Sequence, residues 1–207
     1  FEKGNAGHRL HDGRRMALSG GQLMFTRGIY SLPLASVFAV KVGAVSGADD
    51  IFSDEEHANT EFVCSRTAQT GATRRMIWLD REGPTAYLEP LKERLPERRV
   101  TKFDESTWWK WGRRHHVSDA PRIYVNQKTR RPRPFFLNDC RNYDGAILAL
   151  FPHHRDAGLE GLRDLLNDVD WAELGFVCDG RFLFAQRSLA QALLPEDFAP
   201  FATRALV

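Results

Sequence analysis

Cysteine is scarce in this chain of 207 residues: Cys64, Cys140 and Cys178 stand far apart, odd in number and outside any CxxC pair. That argues against a disulfide framework or a zinc knuckle, and buried thiols are the expectation. No apolar run reaches the roughly 18 residues a membrane span needs, so no membrane partner is expected. No secretory pattern opens the sequence, which makes the cytoplasm the expected location. Internal repeats and low-complexity tracts are missing too, which excludes solenoids. Neither a GxxxxGK[ST] phosphate loop nor an HExxH metal motif occurs.

The residues that are present fit an ordinary globular protein, with 43% hydrophobic and 27% charged residues, long enough to bury a substantial core. One domain, or one with a small appendage, is the default. The chain opens at Phe1 rather than Met, and its first residues, FEKGNAGHRLHDG, read as a loop. A piece of a longer protein is therefore expected, with residues 1–30 as a leading segment, the tail of a preceding domain, and 31–207 as the main domain.

The local patterns alternate short strands with a few helices. Gln22–Thr26 and the better-alternating Val37–Val42 read as strands. The glycines of Gly43–Gly47 mark a turn, and Asp49 and Asp50 suit the mouth of a short helix ending near Phe52. Glu61–Ser65 and Arg74–Leu79 read as a hairpin joined by the polar Thr67–Thr73 loop. Pro84 opens an expected helix with Tyr87, Leu88, Leu91 and Leu95 on one face, stopped by Pro96. Asp104 caps another that runs into Trp108 and Trp109. Arg122–Val125 and Phe135–Leu137 are strand-like, and the apolar Gly145–Phe151 suits a central strand. Leu159, Leu162, Leu165 and Leu166 define an amphipathic helix ended by Asn167 and Asp168. Strands near Phe176 and Phe182 and a last helix from Ser188 to Leu194 complete the chain. With no βαβ alternation, the expected class is α+β, a mixed or antiparallel sheet with flanking helices.

Charge is unevenly spread. Between Trp108 and Pro134 eight cations (Lys110, Arg113, Arg114, Arg122, Lys128, Arg130, Arg131 and Arg133) face one acid, Asp119. This segment carries +7, leaving −5 for the rest of a chain whose formal charge is +2. Trp108, Trp109, Trp111, Phe135 and Phe136 are interleaved with these cations. Arg and Lys neutralise phosphates, Arg can fork onto guanine, and aromatic faces stack on exposed bases. Three Trp in four residues cannot all be exposed cheaply, so two or more of these aromatics are expected in the core. Two histidine pairs, His115-His116 and His153-His154, invite a metal or nuclease reading with Asn126, Asn138 or Asp139. Adjacent side chains diverge, however, and no carboxylate stands at ligand spacing. For His115, a contact to phosphate or base and a solvated loop position both stay open.

Three segments carry a resemblance. Val37–Phe52, the Trp111-Gly112-Arg113 and Pro121-Arg-Ile-Tyr-Val125 stretch, and Gly175–Phe184 followed by Leu194-Pro195 resemble, in order, the C-terminal target-recognition domain of adenine-N6 DNA methyltransferases of restriction-modification systems. The resemblance implies an α+β domain that reads double-stranded DNA mainly in the major groove. It implies a methyltransferase catalytic domain elsewhere on the same parent chain, with S-adenosylmethionine as that enzyme's donor. No donor-binding unit and no Asn-Pro-Pro-Tyr type tetrapeptide for an extruded adenine is found here, so no cofactor and no catalytic residue is expected in this chain. DNA contacts are expected from Lys41, Gly43, Ser46 and Gly47, from Lys110, Trp111, Arg113, Arg114 and His115, and from Asn126, Lys128, Arg130, Arg131 and Arg133. The two glycines can equally be structural, shaping a turn. A small metal-dependent nuclease, a protein-docking domain of a restriction-modification complex, and a structured-RNA binder are the alternatives.

Overall fold

A computed structural model describes residues 13–19, 22–79, 83–154 and 156–203. The loop expected over residues 1–13 lies, but for Gly13, outside the described residues. The class is α+β, with several antiparallel sheets and few helices. Contacts divide the chain into two compact units, and both are discontinuous in sequence. One gathers the described residues up to Lys41, Ala120–Leu137 and those from Leu148 onward, while the other gathers Val42–Asp119 and Asn138–Ile147.

The first unit is organised by a sheet in the order Phe38–Val42, Ile147–Pro152, Ile123–Asn126, Phe135–Phe136. Ile147–Phe151 is buried throughout, as expected of a central strand covered on both faces. The helix Leu159–Asp168 buries Leu162 and Leu166, as its periodicity foretold. Beyond its end, the Trp171 indole Nε1 donates to the Leu166 carbonyl at 2.7 Å, satisfying one of the acceptors a helix end leaves open. Trp171 packs against Phe135, Phe176 and Phe184. Burying each such side chain contributes roughly 1.5–3 kcal/mol.

The strand Gln22–Thr26 has an unforeseen partner, Arg15–Ser19, in an antiparallel hairpin. Glu173 anchors the chain just beyond this hairpin: it accepts from the Arg27 amide, from the Gly28 amide at 3.4 Å and from the Tyr30 hydroxyl at 3.1 Å. Burial, reinforced by that carboxylate, pushes the Tyr30 phenol up to about 12. The last α-helix covers Gln186–Gln191 rather than running on to Leu194, and a 3-10 helix, Glu196–Phe201, follows it. Leu193–Leu194 instead pairs with Leu32–Pro33, because a residue before proline, here Pro195, is driven to extended backbone.

The second unit packs Phe52, Phe62, Met76, Ile77, Leu88, Leu95, Trp108 and Trp111 into one core. Its expected hairpin is present but shorter, Thr60–Phe62 against Arg74–Met76, and its loop holds a helical turn at Thr67–Thr70. The helix expected from Pro84 is replaced by turns and two 3-10 helices, Glu89–Leu91 and Leu95–Glu97. Pro90 explains this: it has no N–H to donate and its ring obstructs the preceding turn. Leu88 and Leu95 are buried all the same. Asp104 holds one turn rather than a helix, accepting from the Ser106 amide at 2.8 Å and the Thr107 hydroxyl at 2.8 Å. Of the thiols expected to be buried, only Cys64 is; Cys140 is half-buried and Cys178 exposed.

Candidate nucleic-acid interface

The basic segment is divided between the two units, and each part has its own geometry. In the second unit, Val45 and Arg113 exchange backbone hydrogen bonds at 2.8 and 3.1 Å, which fixes Trp111-Gly112-Arg113 beside the Gly43–Gly47 turn. Both glycines are sterically required. A Cβ on Gly43 would stand 1.9 Å from the Asp144 carbonyl oxygen; one on Gly47, whose φ is +79°, would stand 2.7 Å from Val100. Ser46 is buried, its hydroxyl donating to Asp49 and accepting from the Ala48 amide at 3.2 Å.

Trp111 lies in the core. Its ring stacks on Phe62 with centroids 5.1 Å apart, and its Nε1 donates to the Ile77 carbonyl at 2.9 Å. His115 is buried against Phe62, Trp78 and Tyr143. Trp108 is also buried, so the aromatics of this stretch mainly build the interior. The cations point elsewhere. Lys110, Arg113 and Arg114 are exposed; Lys110 lies over the Trp109 ring, Arg114 lies 5.7 Å from the Trp78 ring, and Arg113 Nε donates to the Gly43 carbonyl at 3.3 Å.

Two buried charged groups support this turn, and sequence reading had singled out neither. The Arg98 guanidinium donates to the carbonyls of Ser46, Leu95 and Trp108 at 2.6–2.8 Å and lies 3.9 Å from the Phe103 centroid. Burial pulls its pKa down to about 10. Asp144, which accepts from the Ala146 amide, meets Arg74 at 3.1 Å, and Arg74 also reaches Asp49 at 3.0 Å. Burial raises the Asp144 carboxyl above its ordinary value, and the Ala146 amide and then Arg74 offset part of that. Nothing in the spacing of these residues marks them; only the folded turn does.

In the first unit, Ile123–Asn126 and Phe135–Phe136 pair antiparallel, so residues 127–134 form the excursion between them. The base of that excursion is fixed by Asn167, whose side chain accepts from the Phe135 amide and donates to the Phe135 carbonyl, both at 2.9 Å. Lys128, Arg130 and Arg131 are exposed along it, and none meets a carboxylate among the described residues. Arg133 differs: it bridges Asp168 at 2.8 Å and Asp164 at 3.0 Å, and those carboxylates hold its pKa above the ordinary value. Arg122 is buried over Phe151, Asn126 is buried at the strand end, and Lys41 is half-buried.

Among the described residues no three His, Cys, Asp or Glu side chains gather to hold a metal ion. His153 Nε2 lies 3.0 Å from the Ala35 carbonyl. No helix among the described residues is long and apolar enough to cross a membrane.

No protein-family model matches the sequence, and no curated protein matches it. Among solved structures, the Type IIL restriction-modification enzyme MmeI in complex with DNA matches with a TM-score of 0.54 at 13% identity. The chain shares its fold with part of that enzyme. The match covers 86% of this chain and 30% of the MmeI chain, so this sequence spans under a third of that protein's length.

Proposed function

We propose that this chain is the DNA target-recognition module of a site-specific adenine-N6 DNA methyltransferase, a specificity domain that does not itself transfer methyl groups. The observation that carries the reading is the excursion at residues 127–134. It offers three exposed cations that meet no carboxylate among the described residues, on a base hydrogen-bonded twice to Asn167. Surfaces normally mix the signs of their charges, so a one-sign tip on a fixed support suits a polyanion. The likeness of fold to an enzyme solved in complex with DNA supports DNA as that polyanion. The methyl donor, S-adenosylmethionine, and the groups that act on adenine then belong to a catalytic domain on the same parent chain.

The test is fluorescence-anisotropy binding of this chain to duplex DNA, duplex RNA and heparin over a salt series. Duplex DNA is the expected preference, with log affinity falling by about 0.9 per decade of salt for each phosphate neutralised. Arg130→Ala and Arg131→Ala should each reduce that slope. If one of them forks onto guanine, its loss also relaxes specificity at one base pair by about 1–3 kcal/mol. No binding to DNA at low salt would refute the reading.

A further inference from the structure

The excursion does not end the basic surface of the first unit. Lys128–Thr129 is one edge of a three-stranded sheet whose other strands, Arg181–Leu183 and Val177–Cys178, come from the hairpin that turns at Asp179-Gly180. Both turn residues have positive φ, +50° and +67°, the conformation a tight two-residue hairpin requires. The register pairs Leu183 with Lys128, Phe182 with Thr129, and Cys178 with Arg181. Opposed residues share a face and successive residues alternate, so Lys128, Arg181, Leu183 and Cys178 lie on one face. Phe182 lies on the other, stacked on the core residue Phe184 at 5.8 Å. The Lys128 and Arg181 face is therefore turned away from the Phe184 core: Lys128 and Cys178 are exposed on it and Arg181 and Leu183 half-buried, while on the opposite face Phe182 and Thr129 are half-buried and only Val177, on the edge strand, is exposed. Arg130 and Arg131 follow directly in the chain, where the Arg131 amide bonds the Thr129 hydroxyl at 3.1 Å and turns the backbone. Like those cations, Arg181 meets no carboxylate among the described residues.

Resting on the reading above, we propose that the outer face of this three-stranded sheet is the surface that lies on duplex DNA, with Arg181 as a phosphate- or base-contacting residue alongside Lys128, Arg130 and Arg131. Sheets are suited to this role because a two- or three-stranded ribbon fits the major groove and alternation sends every second side chain toward it. Arg181 joins the site through register alone, since it lies far from the basic segment in sequence.

Cys178 supplies a test that needs no substitution, because its thiol shares that face with Arg181. The chain is bound to duplex DNA, binding is followed by anisotropy, and the alkylation rates of Cys178 and Cys140 are compared by mass spectrometry with and without DNA. DNA should slow alkylation of Cys178 severalfold, high salt should restore it, and Cys140 should change little. In parallel, Arg181→Ala should weaken DNA binding about tenfold, the scale of one charge-assisted hydrogen bond. Its salt slope should fall by about 0.9. Arg187→Ala, an exposed cation on the Gln186–Gln191 helix, should change neither. Full reactivity of Cys178 in a DNA complex, or an Arg181→Ala chain that binds like its parent while Arg131→Ala does not, would overturn this proposal and leave the DNA-recognition reading standing. Absence of DNA binding, or protection by duplex RNA alone, would overturn both.

Discussion

Trp111 and Arg131 belong to one basic, aromatic-rich stretch of sequence, yet their surroundings differ in kind. Around Trp111 the aromatics turn inward: Trp108, Trp111 and His115 fill the core of their unit, and a buried guanidinium, Arg98, ties three carbonyls together beneath the glycine turn. Around Arg131 the interior is supplied by Phe135 from the same stretch and by Trp171 from beyond it, and Lys128, Arg130 and Arg131, unlike Arg133, meet no carboxylate among the described residues. The first region uses its cations and rings for packing, and its exposed charges sit close to backbone or ring faces. In the second, Lys128, Arg130 and Arg131 are exposed on an excursion whose base is hydrogen-bonded to Asn167. Residue type alone does not separate the two uses; the partners do.

The largest effect that would sharpen this contrast is expected at Trp111. Trp111→Ala removes a buried ring and an Nε1 hydrogen bond and should cost about 3–5 kcal/mol, read as a drop in the urea midpoint. A fully stable Trp111→Ala chain with lost DNA affinity would break the comparison by making Trp111 a contact after all. Arg98→Met comes next, at roughly 3 kcal/mol, because it strands the carbonyls of Ser46, Leu95 and Trp108 in the interior. Thermal unfolding of that variant beside Arg99→Met, an exposed neighbour, checks it.

Asp144 gives a pH signature of smaller size. Its pKa is raised in the folded state by burial, so its contribution to stability is fully present below the ordinary carboxylate range and is lost as pH rises through the folded value. Asp144→Asn should therefore flatten the fall in stability on going from acid toward neutral pH, as measured by urea melts across that range. The smallest effect is expected at Arg133, whose exposed ion pairs with Asp164 and Asp168 are worth little. Arg133→Ala should leave the urea midpoint close to the parent's and should lower DNA affinity less than Arg131→Ala does, in the same anisotropy series. Equal losses of affinity from the two variants would put Arg133 among the contacts.

Much of the scaffold was legible residue by residue. The apolar run at Gly145–Phe151 became the buried strand Ile147–Pro152, the leucine spacing from Leu159 gave the helix Leu159–Asp168, and Val37–Val42 gave a strand beginning at Phe38. No α-helix runs on from Pro84 despite the leucine spacing, because Pro90 in its midst lacks an N–H, a local property that the sequence itself displays. The strand Leu193–Leu194 was similarly announced by Pro195.

Sequence by itself determined the periodic elements, the glycine turn and the excess of cations between Trp108 and Pro134, because each is a property of neighbouring residues. Only the tertiary structure decided that Trp111 and His115 are interior, that Arg133 is held by the carboxylates of the Leu159–Asp168 helix, and that Arg181 shares a sheet face with Lys128. Those outcomes depend on strand register and burial, which bring together residues far apart in the chain, and no local pattern encodes them.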